Sequence, residues 1–343
     1  MKILYAVQAT GNGHINRARN MAQAFKALNI EVEWLFSGRP KQELFDMEIF
    51  GKFQCYAGLT FAIKNGRVDY LKTIFINNFY VFIKDIFSLN VKKYDLIIND
   101  FEPVSAWSCY FKKVKTIGLS NQMALKRELS SQTKFSISKI ILNYFAPVTD
   151  MIGFHWIHHD YAYLPPMIDN HLERKIELPR KILVYYPYAP IKELIDWLAP
   201  FKEFEFHIFQ GKEIATGFPN IFIHSFSKSQ FNRIQQSCEG IITAAGFELA
   251  SEAIHLGLKL LIFPLSLQME QQYNANILKK LGHAKIIHNF SKESLQQWLK
   301  QPLKQAKPYN QTAYELVKWL VKSEKESLKS LSKKLWKDNI SIT

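Results

Sequence analysis

At 343 residues the chain exceeds the usual size of one domain, and an apolar fraction of 48% is ample for two cores. Its net charge of +14 suits anionic membranes, nucleic acid or phosphorylated ligands, but no recognition motif accompanies the charge, so nucleic acid is not the expected partner. Three widely spaced cysteines (Cys55, Cys109, Cys238) exclude a disulfide framework or a zinc site and read as reduced core thiols of a cytosolic protein.

Residues 2–7 read as a first strand, too soon broken by Gln8 and Gly11 to be a signal peptide. A helix over 15–28 and a strand over 30–36 are expected next, with further strands over 94–99 and 115–119. Alternating β and α elements argue for an α/β fold with a parallel, doubly wound sheet. Two stretches, 70–89 and 134–154, are apolar, aromatic and basic. They read either as core helices or as a surface for anionic lipid. Residues 161–179 are proline-punctuated and polar, a linker between a Rossmann-like domain over 1–160 and a second over 180–312. In the second domain, strands are expected over 181–186, 204–209, 220–224, 240–243, 259–263 and 284–287. Two Rossmann-like halves facing a central cleft account for this pattern. The tail, 313–343, carries an amphipathic helix or pair over 313–337, expected to pack back on the first domain. No run of about 18 apolar residues occurs, so no spanning helix is expected.

The chemistry concentrates at predicted strand ends. In the second domain a strand over 240–243 runs into Gly246 and a helix, where free backbone N–H groups and the helix dipole attract phosphate. Gly246 and the amides of Phe247 and Glu248 are the phosphate candidates. Glu252, one turn inside, is placed for a sugar diol; the plainer alternative is a surface salt bridge. Glu248 could equally be a solvated acid of the first turn. Glu270 and Gln271 open the next helix, where a donor sugar's hydroxyls would be read. Ser225 and Phe226 follow a strand and are candidates for holding a base through the backbone.

In the first domain, Gly11, Asn12 and Gly13 form a glycine loop after the first strand, letting the backbone approach a ligand. His14 then starts a helix, where the neutral imidazole suited to general-base work is favoured; it could instead merely cap the helix. Arg17 binds an anion or pairs with an acidic neighbour. Asp100, at a strand's C-terminal end, orients His14 or caps the following helix. Glu102 is a candidate for shaping an acceptor pocket. The histidines over 155–171 lack the partners a metal would need, and no metal or other cofactor is expected.

Taken together, the motifs resemble those of GT-B-fold glycosyltransferases, closest in pattern to small bacterial and archaeal relatives of the MurG, diacylglycerol and UDP-glucuronosyl transferase superfamily. The family's G-x-x-x-x-S-E-A, G-x-P and D-Q-x-x-N-A patterns stand here as Gly246 to Ala253, Gly257 to Lys259, and Glu270 to Ala275. Lys259 replaces the usual proline, and Glu270 replaces the aspartate of the sugar-reading pair. The resemblance implies metal-independent, inverting transfer from a nucleotide diphosphate sugar, with a UDP-sugar as donor and a hydroxyl of a lipid-linked or glycan acceptor. His14 would be the base, steadied by Asp100, in a cytoplasmic protein, with a peripheral position on the inner membrane face as a further reading. Three alternatives stay open: a nucleotide-sugar hydrolase like that of pseudaminic acid synthesis, a 2-epimerase on the same fold, and a non-catalytic membrane- or nucleic-acid-binding protein.

Overall fold

The computed structural model describes residues 1–64, 67–130, 137–175, 180–211, 213–266, 268–309 and 311–340. Residues 134–136, 176–179 and 341–343, which fall in segments discussed above, lie outside the described residues. Two compact units emerge: unit 1 is Met1–Ala62, Asp69–Ile168 and Tyr309–Thr343, and unit 2 is Ile63–Val68 and Asp169–Pro308.

Unit 1 is built from β1 (Ile3–Gln8), α1 (Asn12–Ala27), β2 (Glu33–Ser37) and β3 (Phe53–Tyr56), while the short β4 (Ile63–Lys64) and β5 (Arg67–Val68) pair as a hairpin assigned to unit 2. Unit 1 continues with α2 (Tyr70–Ile76), α3 (Phe79–Ser88), β6 (Leu96–Asp100), α4 (Pro103–Lys112), β7 (Ile117–Ser120), α5 (Asn121–Ser130), α6 (Ile137–Tyr144) and β8 (Asp150–Gly153). Its sheet is parallel throughout, in the order β3-β2-β1-β6-β7-β8. All six residues of β1 are buried, as expected of a central strand covered on both faces. The order reverses between β1 and β6, and the C-terminal side of such a reversal is where open α/β sheets leave a crevice for ligands.

Unit 2 repeats the plan with β9 (Lys181–Tyr185), α7 (Ile191–Leu198), β10 (Glu205–Phe209), β11 (Ile221–His224), α8 (Lys228–Gln235), β12 (Gly240–Thr243), α9 (Phe247–Leu256), β13 (Lys259–Ile262), α10 (Met269–Lys280), β14 (Ala284–Ile286) and α11 (Lys292–Leu299). Its parallel sheet runs β11-β10-β9-β12-β13-β14, so its reversal lies between β9 and β12. Helix α9 stops at Gly257, whose φ of +69° only glycine adopts freely, and a Cβ there would meet the Lys304 carbonyl oxygen at 2.6 Å. Lys259 does more than replace a turn proline. It opens β13, and its buried Nζ bonds Glu239 at 2.6 Å and the Leu299 carbonyl at 2.9 Å.

The tail folds as α12 (Thr312–Val321) and α13 (Leu328–Ile340), both in unit 1. Leu316, Val317 and Leu320 of α12 are buried, and Ser332 and Trp336 of α13 both donate to the Tyr163 carbonyl. The amphipathic face of the tail is thus used for packing within unit 1.

Buried histidines give the fold a direction of pH sensitivity. Burial pushes the His155 imidazole down to about 4, and burial with the neighbouring His224 and Lys181 pushes His207 down to about 3. Both are therefore neutral when folded but take a proton when unfolded below about pH 6.5. Their contribution is complete above that value and is lost as the pH falls toward the folded values. Urea unfolding at pH 7 and pH 5 should show a loss of roughly 2 kcal/mol per histidine at pH 5.

Candidate active site

The loops at the unit 1 reversal bring together three of the residues singled out above. His14 sits in the first turn of α1, three residues past the Gly11 that caps it, and Asp100 ends β6 opposite Val7 of β1. His14 Nδ1 lies 2.7 Å from Asp100 Oδ1, although 86 residues separate the two in sequence. Arg17, one turn further along α1, donates from Nε to Asp100 Oδ2 at 2.8 Å and from Nη2 to Oδ1 at 2.9 Å. Asp100 and Arg17 are buried, while the His14 side chain keeps 14% of its surface exposed. So short a contact with a carboxylate places a proton on Nδ1, so that in the neutral ring Nε2 carries the lone pair. The Arg17 Nη2 approach to Nδ1 at 3.0 Å is then a meeting of two donors on one carboxylate oxygen. Burial alone would raise the Asp100 carboxyl, but Arg17 and His14 outweigh it and hold the group below the ordinary carboxylate range.

The turn that aims Asp100 is locked by its neighbours. Phe101 adopts φ +55°, an unusual conformation for a non-glycine residue, and its ring stacks on His14 at 6.5 Å. Asn99 closes the turn by donating to the Glu102 carbonyl at 2.7 Å and accepting from the Glu102 N–H at 3.1 Å. Glu102 is placed differently from the acceptor-pocket expectation. Its fully buried carboxylate caps α4, accepting from the Val104 and Ser105 N–H groups and from the Ser37 and Ser105 hydroxyls at 2.6–2.8 Å. With its oxygens so committed, it holds the loop in place rather than presenting a carboxylate to an acceptor. Asp100 is correspondingly free of the capping alternative.

In the glycine loop, Asn12 accepts from Arg39 Nη1 at 2.9 Å, and Arg39 Nη2 reaches the Thr10 carbonyl at 2.9 Å. Sequence reasoning did not single out Arg39, Ser37 or Phe101. Nothing local marks them, because each acts across a loop or a neighbouring strand.

In unit 2, Gly246 caps α9 without any side-chain cap, and a Cβ added there would meet nothing within 4 Å. The helix therefore opens onto space at the reversal between β9 and β12. Phe247, Glu248 and Glu252 are buried on α9. Glu252 accepts from Gln235 Nε2 at 2.7 Å and stands 3.9 Å from Lys228 Nζ, so it is an interior carboxylate and not a surface salt bridge. Lys228 begins α8 just after Ser225 and Phe226. Both of those residues are exposed, and the Phe226 ring meets Tyr185, at the end of β9, edge-on at 6.2 Å. The structure therefore gathers Ser225, Phe226 and Glu252 around α8 and α9.

Gln271 is used differently from expectation. Its Oε1 accepts from the Leu265 N–H at 2.9 Å, which binds α10 to the loop after β13, and Asn274 Nδ2 donates to the Ala245 carbonyl, in the loop after β12, at 3.0 Å. Glu270 is half-buried at the start of α10, within electrostatic reach of Tyr188, whose phenol burial pushes up to about 12. Among the described residues, no group of three or more His, Cys, Asp or Glu is placed to hold a metal ion.

Comparison with known proteins gives a consistent picture. Residues 1–302 match the family model described as glycosyl transferase family 1. No curated protein sequence matches the chain. Among solved structures, UGT89C1 of Arabidopsis thaliana, complexed with quercetin, superposes with a TM-score of 0.63 at 12% identity, covering 98% of each chain. LpCGTa in complex with UDP gives 0.59 at 12% identity, over 97% of this chain and 98% of that one. SsfS6 of Streptomyces sp. SF2575, complexed with thymidine diphosphate, gives 0.55 at 11% identity, over 99% and 96%. At these identities the likeness establishes the fold, two Rossmann-like domains of the GT-B type.

Proposed function

The chain belongs to glycosyl transferase family 1, and from that footing we propose that it transfers a sugar from a UDP-sugar to a hydroxyl of a lipid or cell-envelope glycan acceptor, with inversion and without a metal ion. The observation that carries this reading is the buried Asp100–Arg17 pair holding His14 with Nε2 available. The acceptor oxygen attacks the anomeric carbon as the bond to the diphosphate breaks, and the acceptor's proton passes to His14 Nε2. Asp100 stabilises the imidazolium that results. Attack from the face opposite the leaving group inverts the centre. Unit 2 takes the donor: the uncapped start of α9 at Gly246, Phe247 and Glu248 stabilises charge on the departing diphosphate, the role a metal would otherwise fill. Glu252 receives the ribose hydroxyls, with Ser225 and Phe226 beside the base and Glu270 beside the sugar. A uridine donor is chosen over a thymidine one because ribose offers Glu252 a diol.

The test is UDP release from a panel of UDP-sugars in EDTA, with and without a lipid and glycan extract. Release that requires the extract supports the transferase. Equal release without it replaces the transferase with a hydrolase, and release that EDTA abolishes removes metal independence. Glu252→Ala is expected to raise the donor KM about 10- to 100-fold with a smaller change in kcat, because a charge-assisted hydrogen bond to the substrate is lost. Initial rates against UDP-sugar concentration check this.

A further inference from the structure

Gln235 ends α8 at a place where an apolar residue would serve stability better. It is fully buried, next to the buried Ile234 and near the buried Cys238. Its Nε2 donates to Glu252 Oε2 at 2.7 Å, yet its Oε1 is buried without a hydrogen-bond partner among the described residues. A carboxylate oxygen accepts, so the NH₂ end of the amide has to face Glu252 and the amide oxygen is turned into the interior. An amide oxygen left unmet there costs stability, and what Nε2 does for Glu252 is the compensation. Lys228 stands seven residues earlier on the same face of α8, because seven residues make about two turns. Its Nζ is 3.9 Å from Glu252 Oε1. One helix face thus brings an N–H donor and a positive charge to the two oxygens of a single carboxylate on α9.

We propose that Gln235 is a positioning residue of the donor site: it holds the Glu252 carboxylate in the one orientation that grips a ribose diol, and so sets a preference for ribonucleotide over 2′-deoxyribonucleotide. This role rests on the ribose-binding role given to Glu252 above. A glutamate side chain turns about three bonds, and a diol is gripped at both hydroxyls only when the carboxylate keeps one plane and one direction. Fixing Oε2 in advance removes that freedom before the ligand arrives, so less is lost to ordering on binding. An ionised carboxylate has about four lone-pair sites, so the bond from Gln235 leaves capacity for two hydroxyls. Gln235, being fully buried, acts through Glu252 and does not itself meet the ligand.

The experiment is calorimetric titration of the full chain with UDP and with 2′-deoxyuridine diphosphate. The wild-type protein is expected to prefer UDP about tenfold or more, the worth of one hydrogen bond to a charged group. Gln235→Met keeps the shape and removes the donor; it should bind UDP about tenfold more weakly, with the preference reduced to about threefold or less. Glu252→Ala should lose the preference as well. Gln235→Met combined with Glu252→Ala should then bind UDP no more weakly than Glu252→Ala alone, a non-additivity that a general loosening of α8 would not give.

Gln235→Glu supplies a reading that does not depend on the methionine variant folding. It sets two carboxyl groups in contact, and one proton shared between them restores the missing donor. Its UDP affinity relative to wild type at the same pH should therefore be low at about pH 8 and recover toward about pH 6. An undiminished preference in Gln235→Met, additive losses in the double variant, or a Gln235→Glu affinity indifferent to pH would each overturn the positioning role while leaving Glu252 as the ribose ligand. Unchanged UDP binding by Glu252→Ala would strike the role of Glu252 and that of Gln235 together.

Discussion

Replacing His14 with alanine is expected to lower kcat about 10²- to 10⁴-fold while leaving the folded state intact. The imidazole retains some exposure, its close polar partners among the described residues are Asp100 and Arg17, and these two keep their bidentate pairing with each other when the ring is gone. Because the change removes a proton acceptor and not a donor-binding group, the donor KM should move little. Steady-state rates and a thermal melt, measured on the same preparation, check both halves. Turnover within threefold of wild type would remove the base assignment.

The second large effect is expected of Asp100→Asn, and it falls on activity and stability together. An asparagine can offer its NH₂ to His14 Nδ1, which sends the ring proton to Nε2, the atom needed as acceptor. A loss on the order of 10⁴ in kcat is expected from the wrong tautomer alone. The same change leaves the buried Arg17 guanidinium without its counter-charge, which costs about 3–5 kcal/mol. The carboxyl's folded value lies below its unfolded one, so the stability it supplies is complete above about pH 4 and is lost as the pH falls further. Urea unfolding of the variant at pH 7, compared with wild type, reads the stability directly. Arg17→Met separates the two effects: it should destabilise the protein while retaining far more activity than Asp100→Asn, since Asp100 still fixes the tautomer.

The doubly wound plan was legible because buried parallel strands write themselves as short apolar runs, as in Leu96 to Ile98 or Leu260 to Ile262, separated by helical periodicity. β3 and β8 were missed. Phe53–Tyr56 is half-buried at a sheet edge, and Asp150–Gly153 hides inside a stretch whose aromatic character suggested only a helix. Site residues showed where a strand end met a glycine, which is how His14, Gly246 and Glu252 were found. Asp100 was named as orienting His14 or capping a helix, but its pairing with Arg17, 83 residues away, and the bond from Gln235 to Glu252 between two helices did not show. That Glu102 caps α4 while Asp100 orients His14 has the same origin. Asp100 ends β6 and Glu102 follows it, and only the backbone turn at Phe101 decides which caps α4 and which faces His14.

Unit 1 is closed by α12, which packs on α1, a helix synthesised long before it. Between them lie the 140 residues of 169–308, all assigned to unit 2. Residues 28–311 separate α1 from α12, so at roughly 5–20 residues per second α1 waits about fifteen to sixty seconds for its covering helix. During synthesis the half-finished first domain therefore exposes an apolar seam while the second domain is made, and the nascent chain depends in that interval on whatever shields such seams in the cell. The matched family region also ends at residue 302, before α12 begins. The clasp that completes the catalytic domain thus lies outside the part of the chain by which the family is recognised, and a fragment cut to the family boundary would carry every proposed site residue without the helix that covers α1.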